Sequence, residues 1–592
     1  LSFIFAEHPK LVAMDSERSR RYQSDRPAMK GILGTVQEVE TSGKAGVRGF
    51  RIRFDRAIPL LKNDLAQMLG VLRQRMGVLG AMRPIQKLKL ETGAEGTVVS
   101  IEIPQQPLPT VQRLVVQGSD VTRARAIFQE AQLEPGTPMD PDRISKAQSQ
   151  VGNLGGLEQV DLLGLAEAGD ETPTPWKEGD LLLKVAERSN WIFSSGFGYD
   201  KSQGYHMDLG AQRLNVGGMG RTLDFGVRAG DATIRNPTLR KWFPTGEFTR
   251  SVDMYRIGYT DPRFAPGMLE NWLPDRTQLN AEAAYIEEQR SAYLLRRRRI
   301  LAGLEWNLNS GTVLQAGYRF ERGEVRALPG TGILESELEK VSKIPGRAII
   351  SAPFLQVVRD RRDNRLDPTS GSYGAARFEF ANQIFGTSSN SSFVKMDLRQ
   401  QWNWAMGYRA SAGVISLSMR LGVARPTAST AEDLPLSERF FAGGPGTHRG
   451  VEPDSLGAIG KVPLRGGPPT YPPLLDANSN PRFQSIPLGG QGLVLANLEY
   501  RFPTWWPIVW GEVFVDSGQV YSHLKAPLRG VDDPAPFPHF RTALGLGLIL
   551  KIGLPIKLEY AVDLNRMLGR PRDANERDTQ LKSLLVSAGF QF

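Results

Sequence analysis

The stretch "ERFFAGGPGTHRG", Glu438 to Gly450, sets one guanidinium, Arg449, at the end of a run of glycines and small residues. Two kinds of chemistry suit such a run. Backbone N–H groups in it can cradle a phosphate, or the bare loop can carry a fixed charge into a crowded place. A phosphate loop requires a strand, the spacing GxxxxGK followed by Ser or Thr, and a helix. Lys44 and Lys461 do follow glycines, but Ala45 and Val462 come next, with no such context around them. Other chemistries fare no better. His8, His206, His448, His523 and His539 are scattered without metal-ligand spacing, and there is no cysteine to act as ligand or nucleophile. No GxSxG elbow occurs. The segment "RDRRDNRLDP" gathers Asp360, Asp363 and Asp367, but arginines, Arg362 among them, alternate with the acids. Internal ion pairing is expected there rather than a Ca²⁺ site. Neither enzymatic activity, nor a cofactor, nor a metal is expected.

The chain of 592 residues carries a formal charge of +10 and a pI near 9.6, a balance that suits nucleic acid or an anionic membrane surface. Its densest basic cluster is "LLRRRRILAG", Leu294 to Gly303. On a strand, four successive arginines point alternately to both faces. A nucleic-acid groove normally interleaves aromatics, and this cluster has none, so one face is left for lipid phosphates and nucleic acid is not an expected partner. No long apolar run marks a transmembrane helix.

The elements that must position Arg449 fall into two regimes. Residues 1–31 read as a flexible lead or the remnant of a truncated module. Residues 32–107 and 108–188 each read as a small α+β module of strand, helix or helices, then two strands. "LLKNDLAQMLGVLRQRM" (Leu60 to Met76) and "VTRARAIFQEAQL" carry helical spacing, and Asp140 before Pro141 fits an N-cap with proline at the first helical position. Neither module clusters catalytic groups. From 189 to 592 the period is two. In "LVLANLEYRF", Leu498, Tyr500 and Phe502 share one side, and Asn497 and Glu499 lie opposite. In "TALGLGLIL", Leu544, Leu546 and Leu548 share a side against glycines, and Asp516 alternates against Val513 and Val515. A greasy face and a polar face fit either a sandwich or a transmembrane barrel. The length of the region and its long polar loops favour the barrel. At about 25 residues per strand and loop, about sixteen strands fit, and closure satisfies edges that lipid cannot.

In this order, several segments resemble the BamA/TamA superfamily of outer-membrane assembly proteins. "ERSNWIFSSGFGYDKSQG" is similar to the first barrel hairpin. "RDRRDNRLDPTSGSYGAARFEFA" is similar to the family's Asp-Pro-Thr-x-Gly segment, and "ERFFAGGPGTHRG" to its sixth loop. "PLGGQGLVLANLEYRFP", "VFVDSG" and the terminal Phe592 are similar to later strands. The resemblance implies periplasmic POTRA modules followed by a sixteen-stranded outer-membrane barrel. It implies a sixth loop folded into the lumen, with Arg449 and Gly450 of the Arg-Gly motif locked onto Glu499 and Asp516. Gly443, Gly444, Gly446 and Gly450 would permit positive φ and close approach. Departures are His448, where the family has valine before Arg-Gly, and Val451, where it has an aromatic. The implied function is insertion of unfolded outer-membrane proteins through a lateral seam. Trp191, Gly196, Gly198 and Tyr199 would lie on one side of that seam and Phe590 and Phe592 on the other, with the glycines weakening it. Outer-membrane lipid and lipopolysaccharide are the expected surroundings, and a lipoprotein or an inner-membrane-anchored subunit is the expected accessory. Two further readings stay open: a two-partner-secretion exporter and a passive porin.

Overall fold

The structure is a computed structural model that describes the strands up to residue 104, most of residues 110–568, and residues 582–588. The chain divides into two compact units. One comprises Leu1–Asn190 with Asn215–Gly220, the other Trp191–Leu214 with Arg221–Phe592.

In the first unit, residues 110–187 run strand, helix, helix, strand, strand. Arg113–Gln117 is followed by α1 (Ala124–Ala131), α2 (Pro141–Gly152), Leu157–Gly164 and Asp180–Glu187. The last strand lies in the middle of the sheet, parallel to the first and antiparallel to the second. Its alternation explains the place: Leu181, Leu183 and Val185 point into a core shared with Ile127, Ile144 and Val151. Further upstream, Gly34–Glu40, Val47–Phe54, Lys87–Gly93 and Gly96–Pro104 form an antiparallel sheet. Arg20–Tyr22 pairs onto its edge, so this sheet draws in part of the segment read above as a lead. The helix expected over Leu60 to Met76 and the cap at Asp140 lie outside the described residues.

The second unit is one antiparallel sheet. It begins with β1 (Trp191–Asp200), β2 (Gly204–Val216), β3 (Arg221–Ala229), β4 (Arg250–Asp261) and β5 (Gln278–Arg290). It continues through β6 (Tyr293–Asn309), β7 (Thr312–Ala327), β8 (Arg347–Asp360), β9 (Gly371–Ala381), β10 (Phe393–Met406) and β11 (Gly413–Pro426). After the excursion of residues 427–491 come β12 (Gly492–Pro503), β13 (Val509–Tyr521), β14 (Arg541–Ile552), β15 (Leu554–Asp563) and β16 (Lys582–Ala588). Each strand pairs with the next, and the sheet curls into a barrel until β1 meets β16. Among the described residues that last junction consists of Tyr199 with Ala588 and Asp200 with Ser587.

The greasy rows face outward. Leu544, Leu546 and Leu548 are 49%, 60% and 50% exposed, while Ala543, Gly545 and Gly547 between them are buried. Leu498, Tyr500, Val513 and Val515 on β12 and β13 are exposed in the same way. A soluble sandwich would bury these rows; an outward apolar surface this continuous needs lipid against it. Described residues of the 427–491 excursion enter the interior. Its Leu434, Phe440, Ala442, Val451 and Leu456 pack against Ile350, Phe393 and Leu493 of the wall.

Leu183, fully buried in the middle strand of the first unit, provides a test of that core. Leu183→Ala is expected to cost about 2–5 kcal/mol. Hydrogen exchange on the full chain should show faster exchange at Asp180–Glu187 and unchanged protection in the barrel strands.

Candidate functional site

The site is built from alternation on three strands and one loop. On β13, Glu512, Phe514 and Asp516 are each two residues apart and all face inward, buried. β12 contributes Asn497 and Glu499, and β15 contributes Lys557 and Glu559. Into this wall the loop delivers Arg449, 4% exposed.

The guanidinium is saturated. Arg449 Nε and Nη2 fork onto the Asp516 carboxylate at 2.8 and 2.6 Å, and the Arg449 backbone N–H donates to Asp516 Oδ2 at 2.9 Å. Nη1 lies 2.9 Å from Glu499, from Glu512 and from Glu559. The guanidinium also stacks 3.4 Å from the centroid of the Phe514 ring. Asn497 ties the arrangement together by donating to Asp516 Oδ1 at 2.8 Å and to the Thr447 carbonyl at 2.6 Å. Lys557 Nζ stands 3.8 Å from Glu512. A forked, charge-assisted contact of this kind is open to arginine and not to lysine.

Two glycines make the approach possible by different means. Gly444 sits at φ +80°, where side chains are strained, and its N–H closes the turn onto the carbonyls of His448 and Val451. Gly450 is not in that region. Its constraint is space, because a Cβ there would lie 2.2 Å from the Cβ of Ala543. Gly545 similarly makes room for the Phe514 ring that underlies Arg449. The two family departures are accommodated. His448 is fully buried with Nε2 3.1 Å from the Arg541 carbonyl, and Val451 joins the loop's apolar cluster.

The first residue of the quoted stretch is a second anchor. Buried Glu438 accepts from Arg319 at 2.8 Å and from Lys395 at 3.1 Å, and Arg319 also binds Glu379 at 2.8 Å. Glu438, Glu512, Glu559, Asn497 and Phe514 were all missed in the sequence, although Glu512 and Phe514 share the inward parity of Asp516. Extending that parity along "VWGEVFVDSG" would have found them.

The remaining expected residues divide. Asp360 pairs with Arg362 at 2.9 Å. Asp363, expected in an ion pair, instead caps its turn. It accepts from the backbone N–H groups of Asn364, Thr369 and Ser370 and from the Thr369 hydroxyl. Asp367 reaches β12 and β14, binding Arg501 at 2.8 Å and Lys551 at 2.5 Å. At the seam, Trp191 is exposed and Tyr199 pairs with β16. Gly198, read as a weakener of the seam, has another reason: the His206 ring of β2 fills the space a Cβ would take, 2.4 Å away. Gly196 meets the Asp208 Cβ at 3.8 Å. Phe590 and Phe592 lie outside the described residues. Among the described residues no His, Cys, Asp or Glu cluster is arranged to hold a metal.

A barrel with greasy strands outside and an arginine-bearing loop locked inside defines the class of outer-membrane β-barrel proteins. The chain belongs to the Omp85 superfamily, whose domain profile matches residues 215–592. It is 22% identical over 407 residues, 67% of this chain, to the outer membrane protein assembly factor BamA of Neisseria meningitidis serogroup B. It is 24% identical over 253 residues, 42% of this chain, to a SAM50-like protein of Drosophila melanogaster. The matched region is 46% of each of these relatives, so the chain spans about half the length of the curated relatives it matches. BamA from Haemophilus ducreyi lacking POTRA domains 1–3 has the same fold, with a TM-score of 0.63 at 16% identity over 91% of this chain and 95% of that one. Family membership makes the chain an outer-membrane β-barrel protein.

Two predictions follow from the site's charges. Arg449→Ala strands buried carboxylates and is expected to cost about 3–5 kcal/mol. Urea unfolding in detergent should show it, and Arg449→Lys should recover only part because a lysine cannot fork. Burial raises the Asp363 pKa, but the Thr369 hydroxyl and the turn's N–H groups outweigh it and hold it below the usual carboxylate range. A depressed pKa contributes stability above the unfolded value, near 3.9, that is lost as pH falls through the folded one. Proteolysis at residues 361–370 should therefore accelerate only in acid below about pH 4, and Asp363→Asn should abolish that pH dependence.

Proposed function

We propose that this chain is an outer-membrane insertase that opens between β1 and β16, in a transmembrane barrel of sixteen strands. The observation that carries the reading is a contrast between lumen and seam. The lumen is plugged by a loop with two buried ionic anchors, Arg449 and Glu438. At the β1–β16 junction the first strand meets the last, Tyr199 pairing with Ala588 and Asp200 with Ser587 among the described residues. A client strand adding to β1 would gain main-chain hydrogen bonds at the seam. Residues 108–188, with their strand–helix–helix–strand–strand order, are read as the POTRA module next to the barrel, and residues 32–107 as a further one. Both would lie in the periplasm, and an edge strand such as Leu157–Gly164 would receive unfolded clients by the same augmentation. Accessory lipoprotein or inner-membrane subunits would dock on these modules.

Because the chain has no cysteine, one engineered pair is unambiguous. Tyr199→Cys with Ala588→Cys places thiols on paired residues of the seam. Oxidised protein is expected to stop assembling outer-membrane clients in proteoliposomes, and reductant should restore it. Undiminished assembly through the cross-linked seam would sink the insertase reading and favour an exporter that works through the lumen.

A further inference from the structure

The four-arginine run divides by parity. Arg297 and Arg299 face inward and are paired, with Glu288 at 3.4 Å and Glu282 at 2.8 Å. Arg296 and Arg298 face outward. Arg296 is matched by Glu287 at 2.8 Å, whose carboxylate also accepts from the Tyr285 hydroxyl at 2.9 Å. Arg298 has no carboxylate. The residue directly opposite it on β7 is Arg322, also exposed. The only other acid near that row, Glu324, is taken by Arg326 at 2.8 Å and Arg347 at 3.1 Å. Among the described residues, neither the Arg298 nor the Arg322 guanidinium makes an ion pair or hydrogen bond. Like charges directly across a strand pair repel.

The pair sits at a definite height. Going down β6 from Arg298, the outward residues are Ile300, Ala302, Leu304, Trp306 and Leu308, with Ile300 and Leu308 each 57% exposed. Tyr318 and Phe320 on β7 and Ile349 on β8 are exposed beside them. Nine residues of a tilted strand rise about 20 Å, close to the apolar band of an outer-membrane barrel, about 25 Å tall. Arg298 and Arg322 therefore stand at the upper edge of that band, at headgroup depth. Tyr255 and Tyr285, with ring centroids 6.3 Å apart, lie beside them on the same outer face, as aromatics do at a membrane interface. This edge is at the end of the barrel where the 427–491 excursion leaves β11, because β5, β7 and β11 all run toward it.

We propose that Arg298 and Arg322 together bind the phosphate of a lipid headgroup in the leaflet at this end, for which lipid A is the probe. The proposal rests on the membrane reading of the barrel. The chemistry is that of two guanidinia forking onto one phosphate, which relieves their repulsion and supplies the anion that no carboxylate provides. The greasy row beneath them receives the acyl chains.

The test uses the full chain, wild type and three variants: Arg298→Gln, Arg322→Gln and the double variant, with Arg296→Gln as a control of equal charge loss to one single variant. Native mass spectrometry of protein in detergent with lipid A or phosphatidylcholine should show wild type retaining lipid A in preference to the neutral lipid. The double variant should lose about tenfold or more of that retention, and Arg296→Gln should keep it. Inorganic phosphate at the same concentration should not displace the lipid. Equal retention by the double variant, equal loss in Arg296→Gln, or displacement by inorganic phosphate would overturn the proposal. Unchanged heat-modifiable mobility will show that the variants are folded. Flotation with vesicles separates the two readings. Wild type that floats but shows no preference for lipid A defeats this site alone, and wild type that does not float defeats the membrane reading with it.

Discussion

A charge inside a barrel has nowhere to go but onto another charge, and Arg449 is brought to its partners by a loop that has almost no side chains of its own. The loop must cross the lumen, turn at Gly444, and pass within van der Waals distance of Ala543 at Gly450. Only then can the guanidinium fork onto Asp516 and touch three further glutamates. Once there, it is costly to move, because withdrawing it would leave the buried Asp516 carboxylate without its cation. That contact and the one at Glu438 tie the described part of the 427–491 excursion to the wall.

The occupied lumen bears on how the protein works. Packed loop residues and ion pairs occupy part of the interior. In lipid, an unpaired strand edge is unfavourable, which is why the sheet must bring its last strand back to its first.

The same alternation sorts the charges elsewhere. Arg297 and Arg299 neutralise inward acids, and Arg296 and Arg298 go to the outer face, where one is paired and the other is not. Asp367 extends from the turn after β8 to Arg501 and Lys551, joining strands far apart in sequence. The ionic pattern of the described barrel is thus largely a set of cross-strand and cross-lumen pairs.

Much of this was legible in the residues. A period of two in "TALGLGLIL" and "LVLANLEYRF" fixes which side chains share a face, because a strand's geometry permits nothing else. The order strand, helix, helix for residues 110–152 followed from local spacing and the proline at 141. The arginine in its glycine run was conspicuous for the same local reason. Alternation alone does not say which face meets lipid; the length of the region and its polar loops pointed to the barrel, and the exposed rows agree. Nor was the role of Glu438 beside Arg319, or of Glu559 beside Arg449, since 119 and 110 residues separate those pairs. The need for Gly450 came from Ala543, and that for Gly198 from His206 on the neighbouring strand. Sequence determined the parity of each strand and the presence of a glycine-rich cationic loop, which are properties of neighbours along the chain. Tertiary structure alone decided which carboxylates converge on Arg449 and which arginines are left facing outward without a partner, because register and closure bring together residues that the chain keeps far apart.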